Sequence, residues 1–373
     1  MRTCGLRYRR WIGVRRWPVA PLAFALLGLV GCGEGAGGVP RTAARTPGFD
    51  EIFALEARIE LEETDSALIT ALPGLDVDGA GRLLIPEPAA GEARIYGPDG
   101  GLQHRLGRRG DGPGELQRPA AAVFGPGGSV YISDTGSPRI TRFAPGLELD
   151  TTFVLDGAHF GGPIGVLPGG VVSFAMRSGP DALMYDIYGH DGRRRASFHH
   201  LHPLIRTDPA WMSAARSRVA VGRGRIYVAD NLLYPVQRYD FAGRHVDSVG
   251  TPPPSLRAAS RPEPGTFQGP PAWSRFARWR RTFTTIAGLG VHRDSLLLVT
   301  HEALDPEVIS YEEATYLLDV YSLGPKVIKL YEDVPLPGRL LHVGERVYLL
   351  LGRPPELAAW TVGRYHLGEG CCL

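Results

Sequence analysis

The chain has 373 residues, 43% of them apolar and 21% charged, with 41 basic side chains against 39 acidic ones. A net charge of +2 gives no support to a nucleic-acid or anionic-lipid binding surface. Four cysteines are too few for a disulfide framework at this length, and 49 glycines with 32 prolines argue against long helices.

The N-terminal segment is basic, with Arg2, Arg7, Arg9, Arg10, Arg15 and Arg16 and no acid, and then apolar from Pro18 to Gly31. That run is too short to span a bilayer and has the length of a signal-peptide core. Leu29-Val30-Gly31-Cys32 closes it and resembles the lipobox of bacterial lipoproteins. The resemblance implies a signal peptide over 1–31, cleavage before Cys32 and a diacylglycerol on its thiol. The product would be exported and membrane-anchored through its lipid in the cell envelope, on the outer membrane facing the periplasm where there are two membranes. Loss of the six arginines takes the 41 basic residues to 35 against 39 acids, a net of −4. Residues 32–48 are glycine-rich and poor in apolar side chains, which predicts a flexible tether. Cys371 and Cys372 are adjacent, too close at their Cα atoms for an unstrained bridge, and read as exposed thiols.

Residues 49–373 carry one unit six times. Its core is a turn followed by a short apolar strand: Gly81–Ile85, Gly128–Ile132, Gly170–Phe174, Gly224–Val228, Asp294–Leu298 and Glu345–Leu349. A second strand and a turn follow most copies, as in Ala93–Tyr96 before Pro98–Gly101 and Val236–Tyr239 before Asp240–Gly243. Such spacing predicts the second and third strands of four-stranded antiparallel blades, because a lone sheet of this kind leaves both faces uncovered and must stack around an axis. The expected fold is all-β, a six-bladed β-propeller, with Ile52–Glu62 as the outermost strand of the sixth blade and an insertion over 251–284.

Leu106–Pro119, continuing through Val130–Asp134 to Arg139, Ile140 and Phe143, resembles an NHL repeat, and Val228–Asp230 with Val236, Gln237 and Tyr239 resembles a second. The whole is similar to six-bladed propeller lipoproteins of exported bacterial proteomes, which implies a fold and a binding surface without a guaranteed chemistry.

In a propeller, the links between blades share one face with the turns between second and third strands, and here that face carries the unusual residues. Candidate ligand-binding positions on it are Asp134, Asp230, Asn231 and His301. Asp134 and Asp230 occupy equivalent positions, where a carboxylate accepts backbone N–H bonds from its own turn. His199, His200 and His202 stand close enough to ligate a divalent metal, though no carboxylate lies beside them in the sequence. A merely solvated loop predicts that replacing all three costs under about 1 kcal/mol. In the insertion, Trp273, Phe276 and Trp279 offer apolar contacts and Arg278 a cationic one. The insertion is expected to overhang the channel mouth near Asp230 and a turn bearing His301 and Glu302.

No nucleophile elbow, phosphate-binding glycine loop or zinc-protease motif is present. The sequence therefore favours a non-enzymatic binding or scaffold module for an envelope protein, peptide or glycan, with no nucleic-acid partner and no required cofactor. The alternative is a metal-dependent hydrolase or lyase with a divalent metal in the central channel.

Overall fold

The second strand of each repeat is apolar at consecutive positions because both faces of each blade are covered. In the computed structural model the described residues are 46–155, 164–175, 177, 181–200, 217–232, 234–260, 272–303, 314–352 and 359–368. Cys32, His202, Cys371 and Cys372 lie outside them, as do the side chains of Trp273 and Phe276.

Six four-stranded antiparallel sheets follow one another along the chain. Blade 1 is β2 (Asp76–Val77), β3 (Leu83–Glu87), β4 (Glu92–Tyr96) and β5 (Leu102–Leu106). Blade 2 is β6 (Pro119–Phe124), β7 (Val130–Asp134), β8 (Arg139–Phe143) and β9 (Leu149–Val154). Blade 3 is β10 (Ile164–Leu167), β11 (Gly170–Phe174), β12 (Leu183–Gly189) and β13 (Arg194–His200). Blade 4 is β14 (Ser217–Gly222), β15 (Arg225–Asp230), β16 (Val236–Tyr239) and β17 (His245–Val249). Blade 5 is β18 (Ile286–His292), β19 (Leu296–Ala303), β20 (Thr315–Ser322) and β21 (Ile328–Pro335). Blade 6 is β22 (Arg339–Val343), β23 (Val347–Gly352), β24 (Thr361–Leu367) and the N-terminal β1 (Phe53–Glu60). The fold is the predicted all-β six-bladed propeller. The described residues add only a four-residue helix, Phe49–Ile52, a short 3-10 turn and the helix Ala272–Arg280.

Closure is achieved as the sequence predicts. β1 pairs antiparallel with β24, from Phe53 opposite Leu367 to Glu60 opposite Thr361, and two further bonds extend the seam: Leu61 N donates to Trp360 O and Gly368 N to Ile52 O. The last blade thus takes its outermost strand from the first segment of the chain, which ties the two ends of the ring together within one sheet.

Strand alternation distributes the core among the six seams. In β3, Leu83 and Ile85 pack toward blade 6 while Leu84 packs toward blade 2. In β15, Ile226 and Val228 face blade 3, and Tyr227 and Ala229 face blade 5. In β19, Leu296 and Leu298 face blade 6, and Leu297 and Val299 face blade 4. Each leucine, isoleucine or valine among them contributes about 1.5–3 kcal/mol when fully buried. The outer hairpins turn on Asp-Gly signals. Asp240 Oδ1 accepts from Ala242 N and Arg244 N at 2.9 Å each, and Gly243 takes φ +79°, which an L side chain rarely adopts.

Candidate functional site

The inner strands leave little chemistry in the channel. Among the described residues, they carry three side chains of acid–base or metal-ligating type, Asp76, His292 and His342, all toward the face opposite the inter-blade loops. Asp76 is already engaged: its Oδ1 lies 3.0 Å from His342 Nδ1, and its Oδ2 accepts from Phe124 N at 2.7 Å. His292 is buried edge-on to Phe53, with ring centroids 5.8 Å apart.

On the loop face, the carboxylates that end the second strands are anchors. Asp134 Oδ1 accepts from Arg118 N at 2.7 Å and Gly136 N at 3.0 Å, and Oδ2 accepts from Gln117 N at 2.7 Å. Glu87 does the same in blade 1, accepting from Thr70 N at 3.0 Å and from the Thr70 hydroxyl. Both carboxylates tie the segment that leads into a blade to the blade's own second strand. Arg139, part of the NHL-like stretch but not among the candidate site residues, completes the arrangement in blade 2, donating to Glu115 O at 2.6 Å and Asp111 O at 3.1 Å.

Asp230 departs from this pattern. Its Oδ1 lies 2.9 Å from His199 Nε2, and His199 Nδ1 lies 2.9 Å from the Tyr239 hydroxyl. His199 takes φ +66°, an uncommon backbone state that turns its ring into the seam between blades 3 and 4, where it is buried. His200, next in the chain, is exposed. The structure therefore separates these two histidines, and the carboxylate missing from the local sequence arrives from the next blade. Burial, then the nearby Asp230 charge, pushes the Tyr239 hydroxyl up from its ordinary value. Asn231 supplies a backbone oxygen to Ile286 N at 2.7 Å.

The insertion is pinned at several points. Arg257 and Thr284 exchange bonds, Arg257 N to Thr284 Oγ1 and Thr284 N to Arg257 O, each 3.0 Å. Trp279 and Phe283 stack edge to face at 4.8 Å and enter the core of blades 3 and 4, and the Trp279 indole N–H donates to Ser260 O at 3.0 Å. Trp279 is thus a buried anchor, unlike the exposed contact the sequence suggested, because its ring lies on the helix face turned into the seam. Arg278 is exposed. Arg280 lies over the Phe283 ring and donates to Glu302 Oε2 at 2.9 Å and Thr285 Oγ1 at 2.5 Å.

His301 and Glu302 lie within β19, which runs on to Ala303, instead of in a turn. His301 faces blade 4 and is fully buried. Its Nε2 lies 2.8 Å from Ser255 Oγ and 3.1 Å from Asp333 Oδ1. Ser255 N and its hydroxyl both donate to the Asp333 carboxylate. Asp333 N donates to Asp319 Oδ1 at 3.1 Å, and the Tyr234 hydroxyl donates to Asp319 Oδ2 at 2.6 Å. Burial lowers the pKa of His301 and raises that of Asp319. The sequence reading missed Ser255, Asp319 and Asp333. An acid in the apolar run Leu317-Leu318-Asp319-Val320 was the available signal, since a buried carboxylate needs partners.

No family model and no curated protein matches the sequence. Solved structures do match in shape. A protein of Bacteroides fragilis described as exported aligns with a TM-score of 0.59 at 10% identity, over 87% of this chain and 97% of its own. A Bacteroides vulgatus member of the DUF4221 family aligns with a TM-score of 0.60 at 10% identity, over 85% and 98%. At that identity the likeness is one of fold.

Proposed function

We propose that this chain is an exported, lipid-anchored propeller that acts as a binding or scaffold module, holding an envelope protein, peptide or glycan on the loop face of blades 3 to 5. One observation carries the reading: the exposed Arg278 stands on a helix whose Trp279 and neighbouring Phe283 are locked into the core, a cationic surface on a rigid base. The inner strands support it from the other side, because Asp76, the one carboxylate they carry among the described residues, is bonded to His342 and to the Phe124 amide. Export and anchoring rest on the lipobox-like Leu29-Val30-Gly31-Cys32 and accord with the exported Bacteroides fragilis protein of similar fold. No described helix is long and apolar enough to cross a membrane.

A photocrosslinking side chain placed at Arg278 in intact cells should capture a discrete envelope partner, and one placed at Gly128, on the opposite face, should not. Equal capture from both faces would remove the binding surface. Metabolic labelling with palmitate should mark the wild-type chain and not Cys32→Ser; persistent labelling of that variant would overturn the anchor.

A further inference from the structure

Blade 5 presents one side chain from each of three successive strands to the seam with blade 4: His301 from β19, Asp319 from β20 and Asp333 from β21. Alternation puts all three on the same face. Leu297 and Val299 share that face with His301, Tyr321 shares it with Asp319, and Leu318, Val320 and Val334 point the other way into the seam with blade 6. An irregularity in the β20–β21 pairing, where Asp333 takes φ +53°, brings its carboxylate level with the other two.

One ligating atom from each of the three lies within 4.8 Å of the others. The 3.1 Å from His301 Nε2 to Asp333 Oδ1 is close to the ligand-to-ligand edge of a tetrahedral ion with bonds of about 2.0 Å, roughly 3.3 Å. Charge points the same way. His301 and Asp319 are fully buried, and among the described residues no lysine or arginine pairs with Asp319 or Asp333. Lys329, on the same outer strand, donates instead to Thr251 O and Glu332. The buried Asp319 carboxylate and the Asp333 carboxylate, whose side chain is 24% exposed, stand beside one imidazole, an excess of negative charge that one divalent cation cancels.

We propose that His301, Asp319 and Asp333 form a divalent-cation site, of the kind that takes Zn²⁺, which clamps the start of the 251–284 insertion onto blade 5. One imidazole with two carboxylates is a mixed nitrogen and oxygen donor set suited to Zn²⁺. Tyr234 supports it from outside by orienting Asp319 through its hydroxyl. Ser255, whose N–H and hydroxyl both donate to the Asp333 carboxylate, joins the insertion to the site. The site is distinct from the central channel, because its ligands come from the second, third and fourth strands of the blade. It is also independent of the His199–His202 stretch.

The test uses the purified mature protein, stripped with chelator and dialysed against micromolar Zn²⁺. Wild type should retain a single equivalent. His301→Gln and Asp319→Asn should each weaken binding by about 100-fold or more. The triple variant His199→Ala, His200→Ala, His202→Ala should retain the equivalent in full, and loss of Zn²⁺ there would move the site and overturn the proposal. Failure of wild type to bind Zn²⁺ would overturn it too. If the ligand variants do not fold, Co²⁺ in the wild-type protein decides. Visible d–d bands of a four-coordinate site with an imidazole ligand support the assignment, and the spectrum of hydrated Co²⁺ refutes it.

Discussion

His199 Nε2 meets Asp230 Oδ1 at 2.9 Å across the seam between the third and fourth blades, although the two residues lie 31 positions apart. With Tyr239 on the other ring nitrogen, the imidazole is satisfied at both ends inside the core. The two described histidines of the 199–202 stretch therefore differ in kind.

His199→Ala should cost about 2–3 kcal/mol, since it strips Asp230 and the Tyr239 hydroxyl of a buried partner. His200→Ala should fall within about 0.5 kcal/mol of wild type. Denaturant unfolding of the two single variants separates them, and equal midpoints would contradict the pairing.

Asp134, itself buried, binds three part-buried backbone N–H groups, so Asp134→Ala should lose about 2–3 kcal/mol by leaving them unpaired. Because the role is structural, crosslinking from Arg278 should be unchanged once the variant is folded. Lost capture with an unaltered melting temperature would assign Asp134 to the ligand instead.

The closing strand should behave as a part of the core. Ile59 is buried at the seam of blades 6 and 1, whereas Leu55 on the same strand is 45% exposed. Ile59→Ala should cost about 2–4 kcal/mol and Leu55→Ala under about 0.5 kcal/mol. Deleting 52–62 should lower the melting temperature far more than deleting 33–45, and equal effects would argue against closure through β1.

Burial holds the pKa of His292 below its ordinary 6.5. Above that value the imidazole is neutral in both states and nothing is lost. As pH falls, the unfolded chain takes up the proton first, so the folded state loses stability from about 6.5 downward. Unfolding midpoints at pH 7.5 and pH 5 should differ more for wild type than for His292→Leu. An identical pH dependence in the two proteins would exclude His292 as a source of acid sensitivity.

The sequence by itself determined the ring. A turn followed by an apolar strand, six times over, specifies blades with two covered faces, and Ile52–Glu62 has the pattern of a strand without a repeat of its own. These are local signals: strand period, turn chemistry and spacing. Part of the role of Asp134 was legible too, its bond to Gly136 in its own turn, whereas its bonds to Gln117 and Arg118, 17 and 16 residues upstream, were not. What the sequence left open depends on the height at which different strands meet. Asp230 and Asp134 sit at equivalent repeat positions, yet one faces an imidazole from the preceding blade and the other faces backbone amides. His301, Asp319 and Asp333 are 32 residues apart at their extremes and meet because an irregular register lifts Asp333 level with Asp319. Trp279 looked available for a ligand until the seam took it. Alternation fixes which face a side chain occupies, but only the packed ring fixes what stands opposite.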